Sequence, residues 1–219
     1  MQIVETRFEV TPEKGDVSAI LMQPPGAKQL IVIGHGAGAN MRHANLERLS
    51  TELYRSDIAS FRYQFPYMER GGKGRDSQAT SLATVRRAIL KAKELAPELI
   101  LFAGGHSFGG RMTSMAESEV PLPVDGLLFF SFPLHPAGKA SLTRAEHLYG
   151  IDKRMLFLTG TRDKLAELDL LDEVIAKLGP RATLHLLDTA DHGYKVLKRS
   201  RKSDEDIFVE MIRVVRDWL

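Results

Sequence analysis

A serine flanked by glycines lies at the junction of a predicted strand and a predicted helix. The segment 104–110, GGHSFGG, follows the apolar run 99–103 and precedes a predicted helix over 111–119. The pattern G-x-S-x-G at such a junction is typical of a nucleophile elbow, a tight turn that raises a serine hydroxyl above the end of a strand. Gly105 and Gly109 would be needed there because a Cβ would clash with a neighbouring strand or helix. Glycines after a strand also make ordinary turns, so Ser107 is a candidate nucleophile only if partners follow.

Those partners occur in the order that the elbow requires. A serine hydroxyl becomes nucleophilic when a histidine takes its proton, and a carboxylate must orient that histidine. Asp163 follows one predicted strand and His192 follows the last one, which gives the order serine, acid, histidine. Two alternatives remain open. Helix capping could be the sole role of Asp163, and Asp188 or Asp191 could orient His192 instead.

Three other histidines compete with His192 for the role of base. His106 adjoins Ser107, so its side chain is expected to point away from the nucleophile. His35 and His135 lie in loops that follow strands. For His135 a substrate contact or a structural role in its loop is favoured over the role of base.

The tetrahedral intermediate of acyl transfer carries an oxyanion, which needs preorganised N–H donors. The amide of Phe108, directly after the candidate nucleophile, is predicted to be one donor. The amide of Ala37 is predicted to be the other, because the His35-Gly36 pair lies after an earlier strand, where an HG-type motif is expected.

The same loop also fits a dinucleotide-binding pattern. Gly34, Gly36 and Ala39 match G-x-G-x-x-A between a strand and a helix. That function needs an acidic residue at the end of the next strand to hold the ribose, but that strand ends in Arg62-Tyr63 and Asp57 lies before it. Nucleotide binding is therefore disfavoured.

The order of elements indicates an α/β fold. Two strands come first, and strands then alternate with helices, which predicts a three-layer α/β/α sandwich around a mainly parallel sheet with an antiparallel start. The chain, 1–219, is expected to be one domain. In such sheets ligands bind beyond the carboxyl ends of the strands, so the loops named above should converge. The predicted strands are 2–10, 17–22, 30–33, 58–63, 99–103, 126–132, 155–159 and 182–187; the predicted helices are 42–55, one capped by Asp76 or Ser77, 111–119, 143–149, 164–178 and one capped by Ser203.

Composition narrows the possible partners. The absence of cysteine excludes thiolate chemistry and disulfides, and no metal ion or cofactor is predicted. A net charge of +2 is too small to indicate nucleic acid or a membrane surface as a partner. The first residues have no signal-peptide pattern and no apolar run approaches about 20 residues, so a cytoplasmic protein is expected. Oligomeric state is not indicated.

With these motifs in place, the chain resembles the α/β-hydrolase superfamily over nearly its whole length, and within it the small, lidless, dienelactone-hydrolase-like group. Four segments carry the resemblance: His35-Gly36, 105–109, 160–163 and 191–193. Segments 65–69 and 133–139 resemble a subgroup of bacterial α/β-hydrolases that is similar to the hydrolase-like domain of a subunit of the nonspecific-lethal histone acetyltransferase complex. Dienelactone hydrolases use cysteine where this chain has serine, so their substrate is not carried over.

The motifs and the resemblance together predict a serine hydrolase that cleaves a small ester, thioester or lactone-like acyl substrate. The alternative is a non-catalytic interaction module that keeps the fold. Many superfamily members insert a lid after the strand predicted here at 126–132. In this chain only about twenty residues separate that strand from the next one, 155–159, so an open site is expected. Loops 64–75 and 133–139 should form its walls, with His35, Tyr67, Met68 and His135 as candidate substrate contacts, and with Arg70, Lys73 and Arg75 as cations that could favour anionic substrates.

Overall fold

Eight strands form one twisted sheet at the centre of the molecule. The computed structural model describes residues 2–72 and 74–219. Within these the strands are β1 Gln2–Thr11, β2 Gly15–Gln23, β3 Gln29–Gly34, β4 Ala59–Tyr63, β5 Ile100–His106, β6 Gly126–Phe130, β7 Arg154–Gly160 and β8 Ala182–Leu187. Their order in the sheet is β1-β2-β4-β3-β5-β6-β7-β8; β1 pairs with β2 and β2 with β4 in antiparallel fashion, and every other pair is parallel. The predicted antiparallel start and parallel remainder are therefore confirmed.

Helices cover both faces of this sheet. Their bounds are α1 Ala44–Arg55, α2 Pro66–Glu69, α3 Gln78–Leu95, α4 Phe108–Glu119, α5 Leu168–Leu178 and α6 Ile207–Trp218, with short 3-10 helices at Glu146–Gly150 and Gly179–Arg181. Apolar residues of α3, α4 and α5 pack into one core cluster, and those of α1 and α6 pack into another. Alternate residues of β3 enter the two clusters, Leu30 and Val32 on one face and Ile31 and Ile33 on the other. This is the three-layer α/β/α sandwich that the sequence predicts.

Three local expectations are wrong. α6 has Asp206 rather than Ser203 as its N-cap, because the Asp206 carboxylate accepts the N–H groups of Phe208 and Val209. α5 begins at Leu168 instead of 164, since residues 163–167 form hydrogen-bonded turns before it. The segment expected to be a continuous loop from 64 contains α2, which has proline at its first position, where a missing N–H costs nothing.

No lid is inserted between β6 and β7. Residues 131–153 contain loops and one 3-10 helix, so the carboxyl ends of the central strands open directly outward. Across residues 2–72 and 74–219, none of the helices is long and apolar enough to span a membrane.

Candidate functional site

Ser107 occupies a strained turn between β5 and α4. Its φ of +51° and ψ of −111° lie outside the regions that side chains other than glycine favour. A Cβ on Gly105 or on Gly109 would lie 2.3 Å or 2.2 Å from the carbonyl oxygen of Gly34 in the adjacent β3. Both glycines are therefore needed for the close approach of the elbow to β3, as the sequence predicts.

Ser107, His192 and Asp163 are joined by two short hydrogen bonds. The Ser107 Oγ lies 2.8 Å from His192 Nε2, and His192 Nδ1 lies 2.7 Å from Asp163 Oδ2. The Asp163 carboxylate is fully buried, and its other oxygen accepts the Leu165 N–H at 2.8 Å. Since a carboxylate only accepts hydrogen bonds, Nδ1 carries the proton and Nε2 is left to accept the serine proton.

The two other carboxylates considered as partners of His192, those of Asp188 and Asp191, make different hydrogen bonds. Asp191 Oδ1 accepts the N–H groups of Gly193 and Lys195, and Asp188 Oδ2 accepts the N–H of Lys202. Both carboxylates thus stabilise the loops after β8. Asp163 is not the N-cap of α5, which begins five residues later, so its contact with His192 is not a by-product of helix capping.

His106 lies behind the elbow and supports the loop of His192. Its Nε2 lies 3.0 Å from the His192 backbone carbonyl, and its ring packs 5.2 Å from the His192 ring and 5.5 Å from that of Tyr194, centroid to centroid. A carbonyl can only accept, so Nε2 carries the proton. Burial lowers the pKa of His106 to about 4, which keeps the ring neutral. Its side chain points away from Ser107, as expected.

The two backbone N–H groups expected to hold the oxyanion donate to no other group in the described part of the chain. The N–H of Phe108, at the positive end of α4, and the N–H of Ala37, after β3, have no acceptor among residues 2–72 and 74–219. The Ala37 carbonyl accepts a hydrogen bond from the Tyr67 hydroxyl at 2.9 Å, which fixes the orientation of this peptide. The role of these two amides as oxyanion donors stays a prediction.

His35 and Tyr67 are positioning residues, which corrects the expectation that they touch substrate. The His35 side chain is fully buried; its Nδ1 donates to the Gly36 carbonyl at 2.8 Å and its Nε2 accepts the Phe65 N–H at 3.1 Å. Tyr67 is 1% exposed, and burial raises the pKa of its hydroxyl to about 12. Both ring nitrogens of His35 thus have partners within the protein, and the two side chains join Phe65 and α2 to the loop after β3.

His135 is likewise buried, which corrects a third expected contact. Its Nδ1 donates to the Pro136 carbonyl at 2.9 Å, and its Nε2 accepts the Glu167 N–H at 3.3 Å. It connects the loop after β6 to the turn that carries Asp163. Met68 is half-buried against the core, and its contact with substrate stays a prediction.

The cations expected in loop 64–75 have different environments. Arg70 pairs with Asp76 at 2.8 Å, whereas the guanidinium carbon of Arg75 lies 5.5 Å from the centre of the Phe108 ring. Lys73 lies outside the described residues. Arg111, which the sequence interpretation missed, lines a cavity of about 370 Å³ together with Arg75 and Phe108. Its position four residues after the nucleophile, one helical turn along α4, was the available signal.

A second cavity opens beside His192. It has a volume of about 530 Å³ and is lined by His192, Gly193, Asp191 and three cationic side chains, Arg162, Lys164 and Lys195. His192 itself lines this cavity, and Asp163 lines a neighbouring one of about 540 Å³. The cavity of about 370 Å³ is lined by Phe108, the residue after Ser107.

Comparisons with known proteins agree with this architecture. Residues 27–219 match the family model described as an alpha/beta hydrolase domain. Among solved structures, the chain is similar to a dienelactone hydrolase from Anabaena variabilis (15% identity, TM-score 0.77, 100% of this chain and 97% of that one). It is also similar to a serine hydrolase without a lid from Xanthomonas campestris (16% identity, TM-score 0.75, 100% of this chain and 96% of that one). A third similar structure is the esterase domain of a Rhodothermus marinus protein (16% identity, TM-score 0.72, 100% of this chain and 98% of that one). Because the family model matches most of its length, the chain belongs to the alpha/beta hydrolase family and is a hydrolase with serine at the nucleophile position.

Proposed function

We propose that this hydrolase cleaves a small ester, thioester or lactone-like acyl substrate through a covalent acyl-enzyme. The observation that carries the proposal is the continuous hydrogen-bonded chain from the Ser107 hydroxyl through His192 to the buried carboxylate of Asp163. Such a chain has a specific chemical use, because it lets a neutral hydroxyl lose its proton as it attacks a carbonyl carbon.

The chemistry follows from the positions of these atoms. His192 Nε2 takes the proton of Ser107 as Oγ bonds to the carbonyl carbon, and the N–H groups of Phe108 and Ala37 hold the resulting oxyanion. The imidazolium then gives its proton to the departing alkoxide or thiolate, which leaves the acyl group on Ser107. Water attacks this ester by the same route, with its proton passing through His192, and the free acid leaves. Asp163 stays ionised throughout and stabilises the imidazolium.

The surroundings of the site favour small or polar acyl groups. No lid covers Ser107 within the described chain, and the adjoining cavities of about 370 Å³ and 530 Å³ have charged rims. A long lipid chain would stay largely in water at such a site and would gain little of the about 0.8 kcal/mol that burial of each CH₂ supplies.

A fluorophosphonate probe tests the proposal, since it labels only a serine whose hydroxyl is activated. We expect the native protein to be labelled, Ser107→Ala to be unlabelled, and His192→Ala to react at least about a thousandfold more slowly. Ser203→Ala is the matched control, because its side chain is exposed and lies in the segment before α6; it should be labelled at the native rate.

Absence of labelling in the folded native protein would contradict the proposal. The elbow would then not be assembled for attack, and the non-catalytic interaction module would become the better description. Labelling that survives in Ser107→Ala would place the reactive serine elsewhere and would contradict the assignment of the nucleophile.

A further inference from the structure

Two arginines, Arg75 and Arg111, line the cavity next to Phe108. Arg111 lies one helical turn after Ser107 in α4, and its backbone N–H donates to the backbone carbonyl of Ser107 at 3.0 Å. Arg75 lies over the face of the Phe108 ring, and Arg75, Phe108 and Arg111 line the same cavity of about 370 Å³. Arg144 lies in the segment after β6, and its charge is, after burial, the next cause that lowers the pKa of Arg111.

These guanidinium groups lack anionic partners. Within residues 2–72 and 74–219, no carboxylate lies within 4 Å of Arg75, Arg111 or Arg144, whereas many other arginines of the chain are in such pairs. The Nε atom of Arg111 is buried and has no acceptor in that part of the chain. Burial first, and then the charges of Arg144 and Arg75, lower the pKa of Arg111. Like charges held together without a counter-ion are costly, so the arrangement is suited to a ligand that supplies negative charge.

The other titratable groups at this cavity do not neutralise it. Asp76 lies on the rim, where its Oδ1 binds Arg70 at 2.8 Å and Lys14 at 3.3 Å, so two cations already balance its charge; its Oδ2 is buried and has no hydrogen-bond partner among the described residues. His147 contacts the Ser114 hydroxyl at 2.7 Å, and burial, together with the charge of Arg111, lowers its pKa to about 4. It is therefore neutral at pH 7 and adds no charge of either sign.

We propose that this cavity binds a phosphate group carried by the acyl substrate. This inference rests on the proposed function, because it places the phosphate beside the scissile carbonyl at Ser107. Two guanidinium groups that line one cavity without a carboxylate partner match a group with more than one negative charge and three acceptor oxygens better than they match a single carboxylate. The substrate class is then a phosphorylated ester or thioester, with its phosphate held by Arg111 and Arg75.

Three probes with one carbon skeleton test the charge requirement. Glycerol phosphate, glycerate and glycerol are dianionic, monoanionic and neutral, and each is added as a competitor of p-nitrophenyl acetate hydrolysis. We expect glycerol phosphate to inhibit at a concentration at least about tenfold below that of glycerate, and glycerol not to inhibit, because glycerate offers fewer charge-assisted hydrogen bonds to the guanidinium groups and glycerol offers none. Calorimetric titration with glycerol phosphate measures the same binding without turnover.

Variants then locate the site. Arg111→Gln and, separately, the exposed Arg75→Gln should each raise the inhibition and dissociation constants of glycerol phosphate at least about tenfold. Arg111→Lys should raise them less, since it keeps a charge without the planar fork. Arg216→Gln removes the same charge from the exposed end of α6, and it should bind glycerol phosphate as the native protein does.

Failure of this inference differs from failure of the proposed function. Hydrolysis of p-nitrophenyl acetate without inhibition or binding by glycerol phosphate would overturn the phosphate site alone. Equal inhibition by glycerate would show a carboxylate site and overturn the choice of phosphate. Calorimetric binding that depends on Arg111 in a protein that neither labels with fluorophosphonate nor turns over esters would keep the phosphate site and refute its placement on an acyl substrate.

Discussion

The support of His192 by His106 can be tested with two substitutions that separate ring shape from hydrogen bonding. His106→Phe keeps a planar ring against His192 and Tyr194 but removes the donor that lies 3.0 Å from the His192 carbonyl. His106→Gln loses the ring, but it retains an N–H donor at nearly the same distance from the backbone as Nε2. A role in positioning therefore predicts a larger defect for phenylalanine than for glutamine.

The size of the defect follows from the hydrogen bond. Leaving a buried acceptor without its partner costs about 1–3 kcal/mol, and each 1.36 kcal/mol lost from transition-state stabilisation slows the reaction about tenfold. If the full cost falls on the placement of His192, kcat of His106→Phe drops by a factor of about 5 to about 150. His106→Gln should recover most of that loss.

The assay is kcat for p-nitrophenyl acetate and the rate of fluorophosphonate labelling, beside the free energy of unfolding in urea. If His106→Phe were as inactive as His192→Ala while remaining folded, His106 would itself be the base and the hydrogen-bonding pattern would be misassigned. If kcat were unchanged in both variants, or reduced equally in both, the carbonyl contact would have no role in positioning His192.

Two further predictions concern stability and substrate size. Burial lowers the pKa values of His35 and His106 from about 6.5 to about 4. Between these pH values the folded state therefore binds fewer protons than the unfolded chain. The free energy of unfolding in urea should be highest above about pH 6.5 and should fall by up to about 1.4 kcal/mol per pH unit for each histidine as the pH falls toward 4. A flat profile over that interval would contradict the neutral, buried assignment. For substrate size, p-nitrophenyl acetate should be hydrolysed with a kcat/KM no lower than that of the octanoate, and a strong preference for octanoate would contradict the open, polar site.

Much of the fold could be predicted because it depends on local patterns. The short apolar runs that form β3 and β6 match buried parallel strands, and the alternation of strands with amphipathic helices limits the topology to a few arrangements. The starts of α5 and α6 were wrong for a physical reason. The side chain that caps a helix is chosen by three-dimensional contacts, and at α6 the carboxylate of Asp206 reaches two free N–H groups that the hydroxyl of Ser203 does not.

The orientation of side chains in the loops could not be predicted in the same way. His35, Tyr67 and His135 were placed correctly at the carboxyl edge of the sheet, but each makes hydrogen bonds to a loop about thirty residues away, to Phe65, Ala37 and Glu167 respectively. Sequence shows which loops converge, and only the packed structure shows which side chains hold those loops together and which face the cavity.

Two other histidines of the chain each contact only one of the two kinds of partner, a hydroxyl or a carboxylate, that His192 contacts. His185 contacts the carboxylate of Glu210 at 2.8 Å but no serine hydroxyl, and His147 contacts the hydroxyl of Ser114 at 2.7 Å but no carboxylate. Among residues 2–72 and 74–219, His192 is the one histidine that has both partners. A hydroxyl without an oriented base keeps its proton, and a histidine paired only with an acid has nothing to activate. The order serine, acid, histidine therefore carried more information than any single histidine, because it required three strand ends to deliver complementary groups to one place.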